Sequence, residues 1–219
     1  LGILYDVNDQ VTVGASYKSK QNFSDLEYQL GYGDIQGNAD FGIVTGCAGE
    51  ICPAGTYVLD LDFPQMISVG AAYTPIKPLT ISFDIKHIKW SDTLSSLDIS
   101  GPNNMRLSLA SGWDDQTIIA LGVEYALNER VNLRAGYNQA DAPIDDNDTG
   151  NNYILPATTE KHYAIGADFR LNKYWDIGFH ISKASQFILT TPAAPPPTPV
   201  GTKIGLEIKT IGINLGYRF

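Results

Sequence analysis

The side chains best suited to chemistry in this sequence are not arranged as a catalytic or metal-binding site. His87, His162 and His180 share no spacing that is typical of metal ligands. The sequence has no recognisable Ser, His and Asp motif, no phosphate-binding loop and no paired carboxylates in an apolar setting. It therefore predicts a protein that is not an enzyme and that needs no metal and no cofactor.

The charge of the chain argues against a nucleic-acid partner. The formal net charge is −9, whereas binding to phosphate backbones needs clustered Lys and Arg. Much of the acid lies in one stretch, from Asp141 to Asp148, which is typical of a solvated loop.

The only two cysteines, Cys47 and Cys52, lie close together in a Gly-rich segment. Two cysteines without a nearby histidine pair do not indicate a zinc site. We expect a small disulfide loop, which fits an oxidising envelope compartment, with a pair of free thiols as the alternative.

Hydrophobic residues alternate with polar ones along most of the chain, which predicts an all-β protein of about nine strands. Very short turns and long connections follow each other in strict alternation, the layout of an antiparallel transmembrane β-barrel. The predicted strands are Leu1–Val7, Val11–Lys20, Met66–Thr74, Leu79–Trp90, Thr117–Leu127, Val131–Gln139, His162–Leu171, Trp175–Gln186 and Lys209–Phe219.

Aromatic residues are placed as in a membrane protein. Five of them fall on the apolar face near the short-turn end of the strands, where a barrel crosses a membrane–water interface. A soluble β-sandwich is the alternative, but its core gives no reason to place rings at one level. These residues are Tyr73, Tyr125, Phe169, Trp175 and Tyr217.

The last residues form a second pattern that indicates an outer-membrane protein. Phe219 and Tyr217 end an alternating apolar series, which resembles the signal by which the barrel-assembly machinery recognises outer-membrane proteins. This interpretation places the C-terminus on the periplasmic side of the cell outer membrane, with the long loops outside.

Several stretches, taken in order, resemble the long-chain fatty acid and aromatic-hydrocarbon transporter family of outer-membrane proteins. They begin with Val69-Gly-Ala-Ala-Tyr73 and Leu79-Thr-Ile-Ser-Phe-Asp84, and continue with Lys89-Trp-Ser-Asp92 and Trp113-Asp-Asp115. They end with Leu121-Gly-Val-Glu-Tyr125, Leu133-Arg-Ala-Gly-Tyr-Asn138, Ala142-Pro143 and His162 to Phe169, so the resemblance covers about 150 residues.

The resemblance implies a fourteen-stranded barrel with a small N-terminal hatch. Nine strands cannot form that barrel, so residues 1–219 are expected to be the C-terminal portion of one barrel domain. The hatch and about five N-terminal strands would then be missing, and residues 24–64 would form a long extracellular loop.

Charged residues on the polar face are the predicted ligand-binding residues inside the barrel. A fatty acid carboxylate in an apolar tunnel needs a cationic partner. Arg134 and Lys86 lie partway up their strands, and Lys18 projects inward as well. In the family a basic residue precedes the Trp-Asp strand; here the nearest is Arg106, which leaves hydrocarbons open as substrates. The alternative is that these charges pair with each other and hold the wall together.

Apolar residues in the long connections are the predicted outer landing site for a hydrophobic substrate. They are Phe63, Met66, Leu94, Leu107, Leu109 and Phe187.

Together these patterns predict an outer-membrane channel for passive uptake of hydrophobic small molecules, either fatty acids or hydrocarbons. The expected partners are outer-membrane lipid and lipopolysaccharide, the substrate, and the barrel-assembly machinery. The rival hypothesis is a barrel that serves as a scaffold or surface receptor and binds a protein through its loops.

Overall fold

Almost all regular structure in this protein is antiparallel β-strand. The computed structural model describes residues 1–31, 54–152, 155–192 and 200–218. One short α-helix, α1 (Ser91–Leu94), is present, together with 3-10 turns at Pro102–Asn104 and Thr149–Asn151. No helix in these ranges is long and apolar enough to cross a membrane. The strands are β1 (Gly2–Asn8), β2 (Val11–Lys18), β3 (Leu26–Leu30), β4 (Gly55–Asp60), β5 (Met66–Ile76), β6 (Leu79–Ile88), β7 (Leu97–Ser100), β8 (Arg106–Leu109), β9 (Gln116–Asn128), β10 (Val131–Gln139), β11 (Thr159–Arg170), β12 (Trp175–Gln186), β13 (Ile188–Thr190), β14 (Lys203–Gly205) and β15 (Ile208–Tyr217).

The main sheet contains nine strands, and they are the nine that the alternating pattern predicts. Their order is β1-β2-β5-β6-β9-β10-β11-β12-β15, so each strand pairs with the main-sheet strands before and after it in the chain. All pairs are antiparallel, and no predicted end differs from the observed end by more than three residues. Within the described ranges β1 and β15 are the edge strands of this sheet.

Three of the four short turns are specified by asparagine, and the turn between β5 and β6 has Pro78 instead. The side-chain oxygen of Asn8 accepts hydrogen bonds from the backbone N–H groups of Gln10 and Val11. Asn128 accepts one from Arg130, and Asn172 accepts one from Trp175 in the same way. An Asx turn of this kind replaces a backbone turn bond and lets two strands reverse over very few residues.

The register places apolar side chains on one face of the main sheet, the outer face, where they remain exposed. Phe179 is 44% exposed and Ile213, opposite it on β15, is 63% exposed. The five predicted aromatic residues also lie on this face at the short-turn end. The ring centroids of Trp175 and Tyr217 are 4.9 Å apart. Exposed apolar side chains over a whole sheet face indicate that lipid covers it.

The long connections fold into structure that the sequence did not predict. Strands β3, β4, β7 and β8 form a separate four-stranded sheet, and β13 pairs with β14. The predicted loop 24–64 therefore contains two strands, β3 and β4. The sequence analysis missed them, because alternation over five or six residues is too short to distinguish a strand from an irregular loop. Cys47, Cys52 and Phe219, which carry the predicted disulfide and the last residue of the assembly signal, lie outside the described residues.

The buried core of the protein lies among these connections, which we call the loop cap. Its hydrophobic centre joins three connections that are distant in sequence, and Trp90, Leu61, Leu97 and Ala157 pack around it. The centre consists of Leu94, Trp113, Ile144, Leu189 and Ile204. The loop cap comprises residues 19–31, 54–65, 89–115, 140–152, 155–158, 187–192 and 200–207.

Candidate binding site on the inner face of the sheet

The face of the main sheet opposite the apolar one carries small and polar side chains, and we call it the inner face. Lys86 on β6 lies between Ser68 on β5 and Ile118 on β9 in the register. Small residues allow close packing of side chains on this face. A Cβ at Gly212, for example, would overlap the ring of His180 on the neighbouring strand.

A cavity of about 730 Å³ lies between the inner face and the loop cap. Its size is within the range of sites that hold small organic molecules. The strands of the main sheet, which we call the wall, contribute both charged and apolar groups to its lining. The loop cap contributes two tryptophans and small apolar residues. The lining includes Lys86, Gln116, Ile118, Ala120, Asn138, Glu160 and His162 from the wall, and Trp90, Trp113, Pro143 and Ala157 from the cap.

The two tryptophans of the cavity come from motifs that the sequence analysis noted only as marks of resemblance. The rings of Trp90 and Trp113 meet edge to face at 5.0 Å. Beside them, the Ser91 hydroxyl donates a hydrogen bond of 2.7 Å to Asp115. This bond, which favours the ionised carboxylate, is the main reason that the pKa of Asp115 is below its ordinary value. The Trp-Ser-Asp and Trp-Asp-Asp stretches thus fasten two ends of one connection together above the wall.

A buried asparagine fixes the position of Trp113. The indole N–H of Trp113 donates to the side-chain oxygen of Asn152 at 2.7 Å, and Asn152 is 1% exposed. The amide nitrogen of Asn152 donates to the carbonyl oxygens of Ser111 and Asp148 at 2.7 and 2.8 Å. Every polar atom of the Asn152 side chain therefore has a partner, as a buried amide requires.

Lys86 is the predicted ligand-binding cation that the structure places in the cavity. It forms no ion pair with any residue in the described ranges, so its ammonium group can pair with a ligand. Asp84 and Glu160 line the same cavity and keep it from being strongly cationic. The arrangement can hold an apolar body between Trp90, Trp113 and Ile118, with or without a terminal carboxylate.

Arg134 does not lie in this cavity, and the structure supports the alternative role considered for it. Its guanidinium contacts Glu124 on β9 at 2.6 Å and Asp168 on β11 at 2.5 Å. Asp176 makes similar pairs with Arg170 at 3.6 Å and Arg218 at 2.8 Å. These charges compensate each other across four strand pairs near the short turns, so Arg134 is occupied as a wall-stabilising residue.

The other two predicted cations lie elsewhere. Lys18 is on the inner face at the end of β2, opposite Met66, and does not line the cavity. Arg106 begins β8 and pairs with Ser100 in the sheet of the loop cap, not in a wall strand. The structure brings neither of them together with Lys86.

The predicted landing residues divide into different environments. Phe63 and Phe187 are exposed, and Phe63 packs edge to face against Phe23 at 5.5 Å. Leu94 is only 5% exposed because it belongs to the core of the loop cap, and Met66 is the first residue of β5, on the inner face. The assignment of Leu94 to an exposed site was wrong, since position in a long connection does not reveal burial, whereas the role of the partly buried Met66 stays a prediction. Leu107 and Leu109 lie in β8.

The sequence analysis missed the cap side of the cavity altogether. Trp90, Trp113 and Pro143 reach it from two connections, and nothing in local alternation predicts that they meet. The available signal was the pairing of two Trp-x-Asp stretches at either end of one connection. Among the described residues no three His, Cys, Asp or Glu side chains are grouped so that they could hold a metal ion.

Comparison with known proteins agrees with this architecture. Residues 1–209 match the family model described as outer membrane protein transport protein (OMPP1/FadL/TodX). The chain belongs to this family.

Relatives of this outer membrane transport family resemble the chain along its whole length. A 47 kDa outer membrane protein of Pasteurella multocida is 22% identical over all of this chain and 49% of its own length. The toluene transporter TodX of Pseudomonas putida superposes with a TM-score of 0.69 at 21% identity, covering 100% of this chain and 48% of that one. A FadL homologue of Pseudomonas aeruginosa gives a TM-score of 0.71 at 17% identity, covering 99% and 51%. The chain spans about half the length of these relatives.

The family assignment agrees with four of the sequence predictions. The chain has the antiparallel strands of the outer-membrane transporters, and the family description is that of a transport protein and not of an enzyme. The predicted family is therefore confirmed, as is the outer-membrane location.

Proposed function

We propose that this protein is a channel for passive uptake of hydrophobic small molecules across the outer membrane. The observation that carries the proposal is the cavity of about 730 Å³ between Trp90 and Trp113 of the loop cap and the inner face of the wall. Membership in a transport family and the exposed apolar outer face support it. A gradient is sufficient to drive movement between apolar sites, so the proposal includes no energy source and no cofactor.

The proposed substrates are fatty acids and hydrocarbons. Aromatic rings and Ile118 would contact the apolar part of either class, and burial of that part supplies most of the binding free energy. For a fatty acid, the unpaired Lys86 would contact the carboxylate in a charge-assisted hydrogen bond. Phe63, Phe187, Leu107 and Leu109 of the loop cap are proposed as the place where substrate first adsorbs.

The proposed orientation places the short turns and Tyr217 on the periplasmic side and the loop cap outside. Short periplasmic turns and long outer loops are the rule in bacterial barrels, and the alternation of this chain follows it. Contact with the barrel-assembly machinery through the final strand, and with lipopolysaccharide around the loop-cap end, belong to the same proposal.

Transport into vesicles tests the proposal. Vesicles containing the protein should take up both oleate and toluene faster than empty ones. Lys86→Gln should raise the half-saturating oleate concentration about tenfold, because a charge-assisted hydrogen bond is lost, and leave toluene uptake unchanged. Lys77→Gln, in a short turn, is the matched control and should change neither. If neither compound enters these vesicles faster than empty ones, the proposed uptake function is wrong and the result favours the receptor hypothesis.

A further inference from the structure

Three lysines form a cluster on the outer face at the loop-cap end of the last three main-sheet strands. Lys183 on β12 lies directly opposite Lys209 on β15. Lys161 on β11 lies opposite Ser185, one outer-face position above the level of Lys183. All three side chains are exposed and share their face with Ile181 and Ile211, not with the inner-face charges. We call Lys161, Lys183 and Lys209 the lysine cluster.

The lysine cluster lies at a defined height above the aromatic residues of the short-turn end. Each lysine lies eight residues from an aromatic residue on the same strand and the same face. The pairs are Lys161 with Phe169, Lys183 with Trp175 and Lys209 with Tyr217. Eight residues span about 27 Å along a strand. After allowing for a strand tilt of roughly 35–45°, this length spans about 19–22 Å of height, and the extended lysine side chains carry their ammonium groups further toward the rim of the apolar band, which is about 25 Å tall. The ammonium groups therefore lie at the second membrane interface.

The strands β6, β9 and β10 carry no lysine or arginine at this level of the outer face, and Lys89, just beyond β6, lies near the Asp115 carboxylate. Thr117 occupies the corresponding position on β9, eight residues above Tyr125. Gln139 occupies it on β10, and His87 lies opposite Thr117 on β6. The cluster is thus a local feature of three adjacent strands and not a general belt of positive charge.

The cluster keeps a positive charge although one carboxylate lies within it. Glu207 contacts the ammonium groups of Lys183 and Lys209, both at 2.8 Å. These contacts lower the pKa of Glu207 to about 2, so it is ionised at neutral pH. Three ammonium groups and one carboxylate leave a charge of +2 on a chain whose net charge is −9. Lys161 has no ion-pair partner among the described residues.

From this placement we infer that the lysine cluster binds the phosphate groups of a phosphorylated glycolipid headgroup, that of lipid A, in the outer leaflet. The ligand must be amphiphilic, because the cations stand directly above Ile181, Ile211 and Tyr163, which face the membrane. Acyl chains would cover these side chains while phosphates accept charge-assisted hydrogen bonds from the lysines. The inference rests on the proposed orientation, with the loop cap outside, but not on the transported substrate.

Equilibrium binding of fluorescent, bis-phosphorylated lipid A to the protein in a nonionic detergent tests the inference. Unlabelled lipid A that has lost both phosphates should compete at least about tenfold less well than the phosphorylated form, since each lysine near such a headgroup contributes about 1 kcal/mol. The triple variant Lys161→Gln, Lys183→Gln, Lys209→Gln should lose at least that factor in affinity. The corresponding Lys→Arg triple variant should retain binding.

The matched control removes the same charge from the opposite end of the strands. The control is the triple variant Lys77→Gln, Arg130→Gln, Lys173→Gln, whose three positions lie in short turns. It should leave the affinity for lipid A unchanged. Heat-modifiable migration on gels shows whether each variant is folded, and the comparison of phosphorylated with dephosphorylated lipid on the unaltered protein tests the need for phosphate without any variant. Equal competition by dephosphorylated lipid, equal competition by inorganic phosphate, or an equal loss in the control variant would each overturn the inference. Transport of oleate or toluene into phospholipid vesicles is measured separately, so the two proposals can fail independently.

Discussion

At the scale of single residues, Arg134 shows how charges on the inner face hold neighbouring strands together. We expect Arg134→Gln to destabilise the protein by about 1 kcal/mol, because Glu124 and Asp168 then face each other without a cation. Urea unfolding in lipid bilayers measures the effect. Lys18→Gln, which removes an unpaired inner-face cation, should change stability by less than about 0.5 kcal/mol.

A rescue distinguishes lost pairing from lost packing at Arg134. Adding Glu124→Gln and Asp168→Asn to Arg134→Gln removes the uncompensated charges, so stability should return most of the way to that of the unaltered protein. If the triple variant is as unstable as Arg134→Gln alone, the ion pairs are not the reason for its effect.

Asn152 has the corresponding role in the loop cap. Asn152→Ala leaves the indole N–H of Trp113 and the Ser111 carbonyl oxygen without these partners in a buried place, at a cost of about 2 kcal/mol or more. Hydrogen exchange should show faster opening of the cap while strand amides of the main sheet remain protected. Asn147→Ala, in the same connection but exposed, should leave both unchanged. Equal opening in the two variants would contradict the assignment.

At the scale of elements, strand β12 separates a lipid-facing side from an inner side. Phe179→Arg places a charge in the middle of the apolar band and should destabilise the membrane-inserted protein by about 2–4 kcal/mol. Ser182→Arg, on the inner face of the same strand, should cost far less. Urea unfolding in bilayers compares them, and equal costs would mean that lipid does not cover the outer face.

The connection 140–152 has a pH dependence that one carboxyl group sets. Burial raises the pKa of Asp148, and the nearby Asp145 carboxylate adds to the effect. A raised pKa means that the folded protein favours the protonated carboxyl group. The contribution of Asp148 to the free energy of unfolding is therefore fully present below the ordinary Asp pKa, and it is lost as pH rises through the pKa of Asp148 in the folded protein. Asp148→Asn should therefore stabilise the loop cap at pH 7 and have little effect at pH 3, as followed by tryptophan fluorescence on heating. Asp141→Asn, exposed in the same connection, is the control. A variant less stable at pH 7 would contradict this sign.

The wall strands could be predicted from sequence because their physics is local. In Ile211 to Tyr217 every second residue faces lipid, and Asn172 marks the reversal between β11 and β12, so strand, face and turn can all be predicted from nearby residues. The loop cap could not be predicted, because β4 pairs with β7 about forty residues later and each is very short. The position of Lys86 on the inner face was predicted from alternation alone, whereas the pairing that occupies Arg134 depends on two neighbouring strands.

At the scale of the whole molecule, the structure divides into a lipid-facing wall and a separately cored loop cap, with the cavity between them. The hairpin of β7 and β8 contributes only Leu97 to the main buried centre, but β7 pairs with β4, and Ile99 and Met105 pack against the buried Tyr57. The chain leaves and returns at one point, since the Gly112 N–H donates to the Ser95 carbonyl at 3.0 Å. Removing the hairpin would therefore expose Tyr57 and the edge of β4, whereas the nine main-sheet strands would keep all their pairings.

Deleting this hairpin tests whether adsorption outside the cavity contributes to uptake. Replacing residues 97–109 by two glycines loosens the loop cap around Tyr57, but heat-modifiable folding of the main sheet should remain, because none of its nine strands comes from this hairpin. If Leu107 and Leu109 help to gather substrate, the half-saturating concentration for uptake should rise several-fold while the maximal rate is unchanged, since the cavity still sets that rate. Leu107→Ser with Leu109→Ser in the intact hairpin should have the same effect. An unchanged half-saturating concentration in both variants would confine substrate recognition to the cavity beneath Trp90 and Trp113.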